Sequence, residues 1–279
     1  MKHICIAGAK SYIGVSLKNY LSQWPDQYEI SMLATRGLKP EKSIFEGVDV
    51  VFCAAGIAHI RETRENRQLF FDVNRDLVTA LAEAAKEAGV KQFILMSSMS
   101  VYGLQAGRIE KNTVPHPKTA YGLSKYEADE RIAALEDQRF KFCCLRPPMV
   151  YGENCTGNYR ALRKIALTSP IFPDYANRRS MIYVGNLCEF IKDCVDRERR
   201  GLYFPQNAEY VDTSRMVKLI AEEHGHSIRL TKLFNWAIRL LPFGPMEKAF
   251  GDLIYEADDT VDKWSFEESV KLSERGEHR

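Results

Sequence analysis

Lys2-His3-Ile4-Cys5-Ile6-Ala7-Gly8-Ala9-Lys10-Ser11-Tyr12-Ile13-Gly14 opens the chain. Residues 2 to 7 are apolar and rich in β-formers, so they read as a buried strand. Gly8 follows at once, and Val15 to Gln23 reads as a helix, with Val15, Leu17, Tyr20 and Leu21 available for a buried face. Strand, glycine turn and helix in that order form the first unit of a dinucleotide-binding fold. In such a unit Gly8 permits the tight turn, and the first helical N–H groups of Tyr12, Ile13 and Gly14 are offered to a pyrophosphate. Gly14 lets the helix pack closely. Two glycines six apart also fit a simple turn, so the reading depends on the next hundred residues.

Those residues repeat the alternation. Tyr28 to Leu33 reads as a second strand, and Val48 to Cys53 as a third that ends in Ala54-Ala55-Gly56. Phe71 to Ala88 has helical periodicity and stops at Gly89; Gln92 to Met96 is a fourth strand. Short joints between alternating strands and helices predict a parallel sheet covered on both faces. The fourth strand runs into Ser97-Ser98-Met99-Ser100-Val101-Tyr102-Gly103, and Tyr121-Gly122-Leu123-Ser124-Lys125 comes next along the chain. Tyr121 and Lys125 lie one turn apart on one helix face. An ammonium there favours the phenolate, and a serine hydroxyl at the strand end holds a substrate oxygen beside that phenol.

Together these residues resemble the extended short-chain dehydrogenase/reductase family, the nucleotide-sugar epimerases, dehydratases and reductases. The resemblance covers about residues 1 to 205 well and the tail more loosely. It implies an α/β fold, a Rossmann-like doubly wound parallel sheet with a small C-terminal substrate-binding lobe. Residues 1–150 with about 178–205 form the dinucleotide-binding domain, and about 151–177 with 206–279 form the lobe. Residue by residue, Gly8, Ser11 and Gly14 fall on the family's three-glycine fingerprint. Ala54, Ala55 and Gly56 fall under the ribose and phosphates, and Asn74 on the helix asparagine that supports the active site. Ser98, Tyr121 and Lys125 fall on the catalytic triad, and Pro148 lies in the turn past the nicotinamide. Ser100, Tyr102, Asn158 and Arg179 fall on the substrate side, Arg179 gripping the diphosphate of a nucleotide sugar.

The departures narrow the chemistry. Ser11 puts a hydroxyl where backbone usually meets the pyrophosphate. After the second strand the chain reads Ala34-Thr35-Arg36, without the carboxylate that holds the adenine ribose in NAD enzymes. Arg36 suits a 2′-phosphate, so NADP(H) is the preferred cofactor, and NAD(H) stays open with Arg36 stacked on adenine or in solvent. Family 4,6-dehydratases carry an Asp-Glu pair where this chain has Met99-Ser100, and neither side chain does the work of a carboxyl group. That leaves 4-ketoreductase and 4-epimerase. The chain of 279 residues is shorter than typical epimerases, and a phosphorylated, exchangeable cofactor fits a reductase. The segment Tyr151 to Tyr159 resembles reductases acting on UDP-4-keto-6-deoxy-N-acetylglucosamine, which give UDP-N-acetylquinovosamine. A UDP-sugar 4-epimerase with retained NAD is the alternative. A non-catalytic NADP-binding sensor is a third reading, against which stand Ser98, Tyr121 and Lys125 together.

Composition agrees. A net charge of +2 gives no reason to expect nucleic acid or an anionic surface as partner. No apolar stretch approaches the ~20 residues of a membrane span, and the start lacks a signal peptide's apolar segment, so the cytoplasm is the expected location. Seven cysteines without Cys-x-x-Cys read as buried thiols; Cys155 is the one near the substrate segment. His59, His224 and His226 show no third ligand, and no metal site is read. Asn186 to Asp196 reads as a helix, Gly201 to Phe204 as a strand, and Thr213 to Glu223 as a helix capped by Thr213 or Asp212. Leu233 to Phe250 is apolar and broken by Pro242 and Pro245; it either covers the sugar site and core or lies on a membrane surface. Trp264 and Phe266 read as anchors of the tail. Tyr126 to Leu135 and the helix near Asn74 to Ala88 match the four-helix homodimer contact common in the family.

Overall fold

The computed structural model describes residues 1–58, 60–240, 244–256 and 259–275. His59, Pro242, Phe243 and the charged end 276–279 lie outside the described residues. By internal contacts the chain divides into two units: residues 1–103, 114–147 and 188–205, and residues 104–113, 148–187 and 206–279. Residues 104–113, which the sequence places in the first unit, belong to the second.

The first unit holds a six-stranded parallel sheet. Its strands are β1 (Lys2–Ala7), β2 (Tyr28–Leu33), β3 (Val50–Cys53), β4 (Gln92–Met96), Lys141–Leu145 and Gly201–Tyr203. In space they run β2, β1, β3, β4, 141–145, 201–203. The strand interiors of β1, β3 and β4 are buried on both faces, as an all-parallel sheet requires. Cys5, Ala7, Val51, Cys53, Phe93, Leu95, Phe142 and Cys144 point to one side, into a core completed by Val78, Leu81, Ala82, Ala85 and Ile132. Their neighbours Ile4, Ile6, Val50, Phe52, Ile94 and Cys143 are equally buried on the other side.

The helices of this unit are α1 (Tyr12–Leu21), α2 (Arg67–Phe71), α3 (Val78–Glu87) and α4 (Ala120–Ala133). The predicted helix 71–88 starts earlier and is not uniform: one π-helical turn, Asp72–Leu77, separates α2 from α3. Strand order reverses between β1 and β3, and in open parallel sheets the crevice outside the carboxyl ends of such strands receives the ligand. Gly8 and Ala54 stand there side by side. Gly8 has φ +110°, and a Cβ on it would lie 2.9 Å from the Ala54 carbonyl carbon and the Ala55 nitrogen. Only glycine meets both demands.

The second unit is built from short parallel pairs, Met149–Tyr151 with Met181–Tyr183, Gly107–Ile109 with Leu253–Tyr255, and Ile171–Pro173 with Arg229–Thr231. Helices α5 (Asn158–Thr168), α6 (Val184–Asp196) and α7 (Thr213–Glu223) follow, α6 continuing into the first unit, and Phe266–Arg275 closes the described chain. Asp212, not Thr213, caps α7, its carboxylate accepting from the Arg215 N–H at 2.9 Å. In 233–250, Phe250 is buried against Phe172 and Tyr175, whereas Leu233 and Trp236 are exposed. Among the described residues, no helix is long and apolar enough to cross a membrane.

Candidate active site

Ser98 stands two residues beyond β4 and caps the single turn Met99–Tyr102, its Oγ accepting from the Ser100 N–H at 3.1 Å. Thr119 caps α4 in the same manner, accepting from the Gly122 N–H at 3.1 Å, while Glu62 accepts from the Ala120 N–H at 2.9 Å. Tyr121 therefore sits in the first turn of a well-tied helix. The helix comes very close to the Ser98 turn: a Cβ on Gly122 would lie 2.6 Å from the Ser100 carbonyl oxygen. Any larger residue would push α4 away and separate the phenol from the serine. Sequence reasoning gave this glycine no role, although its place inside Tyr-Gly-x-x-Lys signals it.

The Tyr121 ring is half-buried and meets the edge of the buried Phe70 ring at 6.5 Å between centroids. Burial pushes its phenol pKa up; a hydrogen bond with the Ser98 hydroxyl opposes the rise, and Asp129 adds to it. From sequence, Lys125 is expected to draw this phenol down; burial outweighs any such pull, and the phenol lies above its ordinary range. The Lys125 ammonium is buried and donates to the Met96 carbonyl at 2.7 Å. Desolvation pushes its pKa down, and Cys53, Asp129 and Cys144 partly restore it. It also lies against Gly56, whose added Cβ would be 3.2 Å from Nζ and 2.9 Å from the Asn74 Oδ1.

Asn74 is fully buried in the π-helical turn. Its Oδ1 accepts from the Ile57 N–H at 2.8 Å, and its amide donates to the Ile57 carbonyl at 3.0 Å and to Ser124 Oγ at 3.2 Å. It thus ties the turn after Ala54-Ala55-Gly56 to α4. Ser11 proves to be the N-cap of α1, accepting from the Gly14 N–H at 3.0 Å. At Gly14 a Cβ would lie 2.9 Å from the Gly8 carbonyl, so that glycine serves packing. Gly8 and Ala9 donate to the Leu33 carbonyl, which sets the end of β2 beside the glycine turn. Thr35 and the exposed Arg36 follow directly. The glycine turn, the start of α1 and the end of β2 thus meet at the carboxyl edge of the sheet, the place where a dinucleotide binds in such folds.

Other candidates lie elsewhere. Tyr102 is a correction: it is 2 % exposed and its OH accepts from Arg146 at 2.9 Å, so it is packed beneath the site and offers nothing to a substrate. Ser100 is exposed beside Ser98. In the second unit Pro148 is buried, Asn158 is exposed at the start of α5, and Arg179 donates to the Gly251 carbonyl at 2.6 Å. Cys155 is buried; burial raises its thiol pKa, and that of Cys53 to about 11, so neither is a ready nucleophile. Sequence reasoning passed over Asp129, whose carboxylate accepts from Ser97 at 2.8 Å and from Arg146 at 3.0 Å.

Residues 4–202 match the model of the NAD dependent epimerase/dehydratase family. The chain belongs to that family. It is 28% identical over 247 residues to a UDP-glucose 4-epimerase of Vibrio cholerae, covering 79% of this chain and 75% of the relative. It is 30% identical over 207 residues to N-acetyl-alpha-D-glucosaminyl-diphospho-ditrans,octacis-undecaprenol 4-epimerase of Escherichia coli O157:H7, covering 68% of this chain and 62% of that one. Among solved structures, UDP-glucuronic acid 4-epimerase from Bacillus cereus in complex with NAD superposes with a TM-score of 0.77 at 15% identity, over 98% of this chain and 97% of that one. A dTDP-4-dehydrorhamnose reductase from Bacillus anthracis in complex with NADP gives 0.75 at 17% identity, over 98% and 99%. These two likenesses concern the fold alone.

Proposed function

We propose that the protein is a nucleotide-sugar 4-ketoreductase that passes hydride from NADPH to a UDP-4-keto-6-deoxy-hexose, with UDP-4-keto-6-deoxy-N-acetylglucosamine as the substrate of choice. The observation that carries the reading is the Ser98 hydroxyl against the Tyr121 phenol, with Lys125 one turn behind. Arg36 at the end of β2, without a neighbouring carboxylate, supports the phosphorylated cofactor.

Bound NADPH supplies the hydride. Gly8, Ser11, Tyr12 and Ile13 would hold its pyrophosphate, Thr35 and Arg36 its ribose phosphate, and Ala54 to Gly56 would line the way to Lys125, while Gly14 keeps α1 packed on the glycine turn. Asn74 keeps that last turn in place. As the C4 carbonyl carbon gains hydride, its oxygen becomes an alkoxide. The Tyr121 O–H gives that oxygen its proton, leaving a phenolate that solvent reprotonates. Ser98 donates a hydrogen bond to the same oxygen, and the Lys125 ammonium stabilises the transient phenolate. A high phenol pKa suits this role, because Tyr121 must carry its proton before the transfer. Ser100, exposed beside Ser98, is the group of the first unit proposed for the substrate.

A 4-epimerase is the second reading, favoured by the names of the two curated relatives, which are both 4-epimerases of a sugar carried by a diphosphate. The test follows NADPH absorbance with UDP-4-keto-6-deoxy-N-acetylglucosamine, and with UDP-N-acetylglucosamine and UDP-glucose separately. Stoichiometric oxidation with the keto sugar alone supports the reductase. Conversion of a control sugar to its 4-epimer without net oxidation replaces that reading with the epimerase.

A further inference from the structure

The apolar segment 233–250 divides its residues between two duties. Ile238 and Phe250 are buried in the second unit, whereas Leu233 is 74 % and Trp236 67 % exposed. Among the described residues only Met1 and Val114 show a large apolar side chain to a comparable degree, each alone in a terminus or a loop. Leu233 and Trp236 instead share one face, three residues apart in the consecutive turns Lys232–Phe234 and Asn235–Leu240. The opposite face is tied down: Asn235 donates to the Asp174 carbonyl at 2.8 Å, and Ile238 packs into the core. The Thr231 hydroxyl accepts from the Leu233 N–H at 3.3 Å and fixes the first turn. Both side chains thus stand outward on a supported piece of structure.

Their surroundings are basic. The Lys232 side chain is 81 % exposed and stands one turn before Trp236. Arg229 is exposed beside its register partner Ile171, which is exposed too. Asp174 lies 4.0 Å from the Lys232 ammonium with both groups open to water, so the pair leaves most of that charge available. Residues 224–246 contain Arg229, Lys232 and Arg239 and neither Asp nor Glu; residues 154–173 contain Arg160, Arg163 and Lys164 and again neither. Arg163 is taken up by Glu274, while Arg160 and Lys164 are exposed on α5. These two acid-free stretches pair with each other, the Arg229 N–H donating to the Pro170 carbonyl at 2.9 Å. A net charge of +2 over the whole chain conceals this segregation.

We infer that this face of the second unit docks on a bilayer surface rich in anionic headgroups, with Leu233 and Trp236 entering the interface and Arg229 and Lys232 lying among the phosphates. A bilayer offers negative charge over an apolar layer, and the face presents apolar tips beside cations. Tryptophan, with an apolar body and one N–H donor, and lysine and arginine, with apolar stems and charged heads, are the side chains that bridge such a boundary. Ile171 adds an apolar contact about 10 Å along the strand from Asp174. Among the described residues no helix is long and apolar enough to cross a membrane, so the attachment is peripheral, and a patch of this size makes it reversible. It is independent of the reaction at Tyr121.

Co-sedimentation of the full chain with vesicles tests this, phosphatidylcholine mixed with phosphatidylglycerol against phosphatidylcholine alone. Binding to the mixed vesicles should fall steeply as salt rises past about 0.15 M, and brominated acyl chains should quench tryptophan emission. The chain has three tryptophans, so Trp236→Phe, which should keep binding and lose the quenching, assigns that signal. Arg229→Glu joined to Lys232→Glu should weaken binding at least about 25-fold, at about fivefold per basic residue. Leu233→Ser and Trp236→Ser should each cost about tenfold. Melting temperatures should stay near native, because all four side chains are exposed. The salt and quenching measurements use the native chain and stand whether or not a variant folds. No binding of the native chain to the mixed vesicles overturns the inference, as does binding indifferent to phosphatidylglycerol or to the charge reversal. A dimer in sedimentation velocity that Trp236→Ser dissolves, without vesicle binding, gives the face to a second copy. A raised KM for UDP-4-keto-6-deoxy-N-acetylglucosamine in Trp236→Ser, again without vesicle binding, gives it to the sugar site. Either result overturns the bilayer.

Discussion

Asp129 in the first unit and Glu274 in the second are both buried carboxylates bound to arginine, yet they keep different company. Asp129 meets Arg146 and Ser97 one turn beyond Lys125 on α4. Glu274 accepts from Tyr159 OH at 2.6 Å and Arg163 Nε at 2.7 Å, and lies 2.7 Å from His224 Nε2. Tyr159 and Arg163 belong to α5 and His224 ends α7, so Glu274 ties three helices of its unit together. Nearby, Tyr151 stacks on Tyr159 at 5.5 Å, and its OH meets Ser269 and Asn207. The two clusters share a chemistry but differ in what they join. Asp129 ties the helix of Tyr121 to the residue before Ser98 and to the end of strand 141–145, whereas Glu274 ties helices of its own unit. A buried charge is thus no mark of a catalytic site until its neighbours are named.

The largest expected effect lies in the first unit. Tyr121→Phe should lower kcat by roughly 10²- to 10⁴-fold, the usual worth of a general acid, with NADPH affinity and melting temperature near native. Steady-state rates and fluorescence titration check this, and native turnover would put both clusters on the structural side of the comparison.

In the second unit the change should appear in stability. Glu274→Ala leaves Arg163 without its buried partner, and losing one side of such a pair costs about 3 kcal/mol. The carboxylate is 1 % exposed and Arg163 24 % exposed, so screening trims this only modestly. A melting-temperature fall of roughly 10 °C with kcat at 25 °C within about twofold of native is the expected pattern. A large fall in kcat at unchanged melting temperature would erase the distinction between the two carboxylates.

Two smaller effects sharpen the scale. Arg36→Ala should weaken NADPH by about tenfold, the low end for a charged hydrogen bond at an exposed residue, and leave NADH nearly unchanged; equal losses by titration would remove the argument for NADPH. Asp137, exposed beside Lys86 at 2.8 Å, has its pKa lowered to about 2 by that ammonium and the Arg139 and Phe140 N–H groups. A depressed carboxylate stabilises above its ordinary range, and that contribution fades as pH falls through about 4 to 2. Asp137→Asn should therefore melt slightly below native at about pH 6 and alike at about pH 2, a surface pair against which the buried ones are gauged.

Local order made much of this legible in the chain. Strand β1, Gly8, Ser11 and α1 lie within one stretch of sequence, as do Ser97 to Gly103 and Tyr121 to Lys125, and hydrophobic period plus turn chemistry suffices for such pieces. The π-helical turn at Asp72–Leu77 was hidden because its apolar spacing does not differ enough from an ordinary helix. Tyr102 misleads for a related reason: a tyrosine after the site serines looks available until Arg146, distant in sequence, claims its hydroxyl. Glu62 at the start of α4 and Asn74 against Ser124 carry no local signal either.

By itself the sequence determined the order of strands and helices, the glycine turn where nothing but glycine fits, and the placing of Tyr121 and Lys125 one turn apart on a helix, since each depends on neighbours within a few residues. Tertiary structure alone decided that the Lys125 ammonium rests on the Met96 carbonyl, that Ser98 acts on the phenol, and that Asp129 takes Ser97 and Arg146 as partners. Those outcomes depend on burial and on groups brought together from β4, α4 and the end of strand 141–145. Desolvation and Coulomb energies are set by distance in space, which sequence spacing does not encode.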